Sequence, residues 1–116
     1  MPIIDRADLT WVPAMARVRE RHLVSRNQGA VSLTIKEVEI APGWEGRLHT
    51  HPVDVSMQVM SGAIQAIIGD DVRTVRAGTT LLAPPGVPHK LINLLWTPAM
   101  LLITYPSAAL ETGYLE

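Results

Sequence analysis

The sequence of 116 residues contains no cysteine. That excludes a disulfide framework, a thiolate nucleophile and any cysteine-ligated zinc or iron–sulfur site. Phenylalanine is also missing and aromatic residues make up only 4%, so Val, Ile, Leu and Met must fill the core. A surplus of positive charge is lacking as well. Ten Lys and Arg stand against eleven Asp and Glu, a formal net charge of −1. Nothing in that balance drives generic nucleic-acid binding, and no nucleic-acid partner is expected. No apolar run approaches the roughly 20 residues that a membrane-crossing helix needs, so no membrane partner is expected either. The opening Met1-Pro2-Ile3-Ile4-Asp5-Arg6 has no basic stretch leading into an apolar one, and a cytoplasmic location follows by default.

What is present is a chain with 47% hydrophobic and 18% charged residues. That is the balance of a folded chain, not a disordered one. The length suits one domain around one core. Strand signals dominate from residue 31 onward. Val31-Ser32-Leu33-Thr34-Ile35 alternates, and Val38 and Ile40 continue the apolar content. Further strands are predicted within 48–60 (broken at Pro52), over 63–68, 72–76, 79–83, 89–95 and 99–105. Between them lie turn signals such as Ser61-Gly62, Gly69-Asp70-Asp71 and Ala77-Gly78. Pro84-Pro85-Gly86-Val87-Pro88 reads as a rigid loop. Residues 17–24 partly alternate and suggest a half-exposed strand, whereas Ser107 to Glu116 reads as a short turn of helix or a frayed tail. Short strands at close, regular spacing predict an all-β sandwich or barrel.

The chemistry lies in the histidines. His49 and His51 are two apart, and on a strand such residues face the same side. They can present two imidazoles to one metal ion. His89 follows the stiff proline loop and is the candidate third ligand. Three protein ligands with open positions are the pattern of catalytic metal sites, and imidazole suits iron, copper, nickel and zinc. His22 sits among charges and is expected to be solvated or at an interface.

The spacing Gly43-x5-His49-x-His51, followed by Gly62, resembles the first motif of the cupin superfamily. Gly78-x5-Pro84-x-Gly86-x2-His89-x3-Asn93 is similar to the second at every fixed position. The resemblance is to a small single-domain cupin. It implies a double-stranded β-helix, a jelly-roll barrel, with a metal in its mouth. On this reading residues 31–106 form the barrel, 1–30 an N-terminal segment with a dimer-contact strand, and 107–116 a C-terminal tail. A homodimer is expected, because the 99–105 strand is apolar on both faces.

One position departs from the family. The first motif usually carries a Glu four residues after its second His, as a fourth ligand, and here that position is Val55. Asp54 and Gln58 have the wrong strand parity to replace it, and the Met57 thioether is a poor ligand for a hard or borderline ion. The expectation is a three-His site for one divalent ion (Fe, Mn, Ni or Zn), beside an apolar wall of Val53, Val55, Met57 and Val59. Some cupin dioxygenases, including those that cleave β-diketones, resemble this pattern. A metal-dependent dioxygenase acting on a small enolisable or carboxylate substrate is therefore the first expectation. The alternatives are a metal-dependent isomerase or lyase, and a non-enzymatic small-ligand-binding or sensor cupin. Glu45 in the entry loop is the candidate acid/base carboxylate. Arg47 and Lys90 are expected to point away from the histidines and Asn93 to hydrogen-bond near the barrel end, while Trp44 is open between lining the mouth and packing at the rim or in a dimer contact.

Overall fold

The computed structural model describes residues 2–116. Eleven strands follow one another: β1 (Val12–Met15), β2 (Val18–Val24), β3 (Thr34–Ile40), β4 (His49–Thr50), β5 (Val55–Ser61), β6 (Ala63–Ile68), β7 (Asp71–Arg76), β8 (Thr80–Ala83), β9 (His89–Ile92), β10 (Ala99–Tyr105) and β11 (Gly113–Tyr114). Short 3-10 turns at Arg6–Asp8 and Arg26–Gln28 are the only helical elements among the described residues. No helix of these residues is long and apolar enough to cross a membrane. The strands form two antiparallel sheets, ordered β1-β2-β3-β10-β5-β8 and β11-β4-β9-β6-β7. The chain is all-β, and the two sheets are the two walls of a jelly roll.

Strand parity builds the core. On β10, Leu101 pairs with Val38 of β3 on one side and Val59 of β5 on the other. All three face the interior, and Leu101 is fully buried. Ile64 and Ala66 of β6 close over this row from the other sheet. Removing side chains of this size from water stabilises the fold by about 1.5–3 kcal/mol each. Gly62, between β5 and β6, has a φ of 76°, and a side chain there would collide with the Pro98 carbonyl. This turn requires glycine on both counts.

β1 follows the first 3-10 turn and carries Pro13 within a strand. It lies at the edge of its sheet, where the missing N–H of proline costs no ladder bond. β2 pairs along β3 of the same chain, so residues 12–24 extend the larger sheet.

The expected helical turn or frayed tail at 107–116 is corrected. Gly113 and Tyr114 form β11, which pairs with Thr50 and His49 of β4. The tail is tied at its root by the Thr34 hydroxyl, which donates to the Ser107 carbonyl at 2.7 Å. The sequence signal was weak because a two-residue strand has no measurable alternation.

Candidate metal centre

His49 of β4 and His89 of β9 are direct cross-strand partners. His51 leaves β4 two residues later, on the same side. The ring centroids lie 4.2 Å apart for His49 and His89, 4.8 Å for His49 and His51, and 5.2 Å for His51 and His89. One ring nitrogen from each residue lies within 4.8 Å of the others. The structure thus brings together all three histidines singled out in the sequence.

Each imidazole is aimed by the main chain. Nδ1–H of His49 donates to the Arg47 carbonyl at 2.7 Å, that of His51 to the Glu111 carbonyl at 2.7 Å, and that of His89 to the Val87 carbonyl at 3.0 Å. A carbonyl can only accept, so the proton sits on Nδ1 and the lone pair on Nε2. Such second contacts are what metal-binding histidines use to fix tautomer and direction. Burial pushes the His49 and His89 pKa values below the ordinary imidazole value, against the carbonyl contacts that raise them, and the neighbouring imidazoles add to the lowering. Neutral rings with convergent Nε2 lone pairs fit a divalent transition ion.

No carboxylate joins the three among the described residues. Val55 stands at the family's Glu position and is buried, while Asp54 and Gln58 are exposed, as alternation along β5 requires. The histidines open onto a cavity of about 580 Å³ between the two sheets. Val55 and Met57 line it. Val53 and Val59, expected beside them, do not. Val53 precedes β5 and packs against the core, and Val59 is buried where β5 meets Leu101 of β10.

The sequence reading missed two polar groups of this cavity. Glu20 on β2 and Lys36 on β3 border it, with Nζ and Oε2 at 3.0 Å. The sequence carries half of the signal, since Glu20 shares the parity of apolar Val18; the structure supplies the other half, with Val18 buried and Arg19 and Arg21 both stacked on Trp11 at 4.5 Å. His22, expected to be solvated or at an interface, is partly buried and bonds Glu20 at 3.2 Å. Burial pushes the Glu20 carboxyl up, but Lys36 and His22 outweigh it and hold its pKa below the ordinary value.

Glu45 borders the cavity at its rim, largely exposed, with Oε2 at 3.6 Å from Lys90 Nζ. Arg47 and Lys90 also border the rim, but their charged ends turn to Glu116. Arg47 donates to the Glu116 main-chain oxygen at 2.8 and 3.1 Å, and Lys90 to its carboxylate at 3.0 and 3.1 Å. Trp44 lines the cavity. Asn93 is fully buried and donates to the Ile40 and Thr97 carbonyls at 3.0 Å each, while its oxygen accepts from Leu95 N–H. It is a structural clamp at the end of β9.

The family described as Cupin domain matches residues 36–105. The polyketide cyclase RemF from Streptomyces resistomycificus superposes with a TM-score of 0.86 at 20% identity, covering 100% of this chain and 86% of that one. A sugar phosphate isomerase of the cupin superfamily from Silicibacter pomeroyi gives 0.83 at 19% identity, covering 99% and 82%. An RmlC-like cupin from Shewanella frigidimarina gives 0.80 at 18% identity, covering 90% and 89%. At such identities the likeness is one of fold. No curated protein sequence matches the chain.

Proposed function

The chain belongs to the cupin domain family, and from that premise we propose that it is a metal-dependent enzyme acting on a small enolisable carbonyl compound with an apolar body. The observation that carries this reading is the set of three Nε2 lone pairs, each aimed by a main-chain carbonyl, converging on the wall of a mostly apolar cavity of about 580 Å³. His49, His51 and His89 would hold one divalent ion (Fe, Mn, Ni or Zn). When bound, the ion supplies Lewis acidity toward a carbonyl or enolate oxygen. Neutral ligands leave its charge undiminished, which favours an anionic oxygen. Val55, Met57 and Ile103 receive the apolar body and keep water from it. Glu20 and Lys36, on the facing sheet, offer an acceptor and a donor to a second polar group of the substrate and so fix its orientation.

This arrangement favours proton-transfer chemistry, such as cyclisation or isomerisation, over oxygen insertion. Proton transfer needs titratable groups beside the apolar wall, and the Glu20–Lys36 pair on the cavity wall supplies two. The dioxygenase is the second reading, favoured by Val55, which leaves a coordination position free where the family's Glu would sit.

Elemental analysis of the untagged protein tests the metal, with His89→Ala as control. About one equivalent per chain, lost in the variant, is the expected result. No metal after reconstitution with iron, nickel or zinc would overturn the reading and leave a non-enzymatic binding barrel. Incubation of the loaded protein with benzoylacetone in an oxygen electrode separates the enzymatic readings. Oxygen uptake supports the dioxygenase, and solvent deuterium exchange at the α-carbon faster than in the protein-free and His89→Ala controls, without oxygen uptake, supports the proton-transfer enzyme.

A further inference from the structure

The tail is part of the metal centre's surroundings as well as of the sheet. Leu110, Thr112 and Tyr114 border the histidine cavity on their inner side, while residues 111–116 are exposed on the outer side. The segment is therefore a wall one chain thick between the cavity and solvent. Its root is fixed by the Thr34–Ser107 bond. Its far end is held by surface contacts: the two-residue pairing of β11 with β4, Leu115 N–H on the Leu48 carbonyl at 2.8 Å, the Arg47 guanidinium 3.8 Å over the Tyr114 ring and bonded to the Glu116 main-chain oxygen at 2.8 and 3.1 Å, and the bonds of Glu116 to Leu48 N–H and Lys90. Those contacts are exposed and bury little apolar surface, which is the signature of a segment that opens at low cost. Between root and clasp sits the Glu111 carbonyl, the acceptor that aims His51.

We propose that residues 110–116 form a strap whose docking sets the direction of His51, so that metal retention and entry to the cavity are governed by the same local opening. Glu111 is a positioning residue through its main chain. When the strap undocks, His51 loses the only carbonyl acceptor the structure gives its Nδ1, and the cavity loses the wall formed by Thr112 and Tyr114. The inference rests on the metal-centre reading only for its first readout.

The double variant Tyr114→Ala/Glu116→Ala weakens the clasp without replacing a histidine; because Tyr114 pairs with His49 and its ring lies 6.0 Å from that imidazole, Glu116→Ala alone is the control that leaves the His49 surroundings unchanged, and deletion of residues 110–116 removes the strap altogether. Affinity for Co²⁺, measured by chelator competition and followed by the visible spectrum of the bound ion, is expected to fall about 10- to 100-fold in the double variant, the usual effect of losing an outer-shell partner. Nitrogen-15 NMR of the metal-free proteins is expected to show His51 as a single Nδ1–H tautomer in the wild type and as averaged tautomers in the double variant and the deletion. A lower melting temperature with unchanged Co²⁺ affinity and an unchanged His51 signal would overturn the proposal and leave the strap a structural element only. If the wild type binds no Co²⁺, the metal reading fails, and the His51 tautomer still decides whether the strap positions that ring.

Discussion

Glu20 and Lys36 form an ion pair at 3.0 Å across the adjacent strands β2 and β3, on the wall of the cavity. The pair sets an acid-side dependence of stability. The Glu20 carboxyl has a folded-state pKa below its ordinary value of 4.5. Its contribution is therefore fully present above the unfolded value and fades as the pH falls through the lower folded value. Wild type should exceed Glu20→Gln in stability at neutral pH, and the two urea midpoints should approach each other below about pH 4.5. A gap that stays constant down to pH 3 would count against the pair.

Val55 is the position at which a fourth ligand can be restored. In metal-free protein, Val55→Glu places a carboxyl in an apolar site without a partner, and the melting temperature should drop. Added metal should recover it, with tighter metal binding than wild type. The extra negative charge should weaken the binding of an enolate such as that of benzoylacetone. Calorimetric titration with metal and then with diketone measures both effects.

Leu101 is fully buried between Val38 and Val59. Leu101→Ala should cost about 2–5 kcal/mol in urea denaturation, through lost transfer energy and the cavity left behind. The same substitution should leave the histidines in place at low temperature, since β10 pairs with β3 and β5 and not with the strands that carry the histidines.

A homodimer is the expected assembly. β1 is an edge strand with all four residues exposed, including Val12 and Met15. An edge of this kind offers unpaired backbone to a second copy. Light scattering coupled to size exclusion should give twice the chain mass, and Met15→Lys should shift it toward the monomer.

Most of the barrel was legible because strand parity and turn residues agree. The 99–105 strand and the 63–68 strand fall within the predicted bounds; the spacing of His49 and His51 marks them as a pair, and His89 is singled out by its place after the proline loop and by the family motif. The rest depended on long-range placement. Glu20 looked like one charge among several in Arg19-Glu20-Arg21-His22, since its inward position follows only once Val18 is known to be buried. Gly113 and Tyr114 form a strand because β4 lies beside them, not because of their own propensity. Val59 has the right parity for the cavity wall, but the core row of β10 reaches it first. Parity tells which face a residue takes and not how far along the barrel the open space extends.

The three bonds from Nδ1 to carbonyls have a last consequence. The acceptors belong to Arg47, Val87 and Glu111, and none of them is a side-chain atom. Ring direction is thus encoded mainly by where the chain runs, with the Thr112 hydroxyl adding a side-chain contact 3.4 Å from His51 Nδ1. The apolar lining can then be exchanged, one side chain at a time, without re-aiming the imidazoles. Substrate preference and ligand geometry become separable traits, and a barrel of this kind can drift toward a new compound while its inorganic chemistry stays intact.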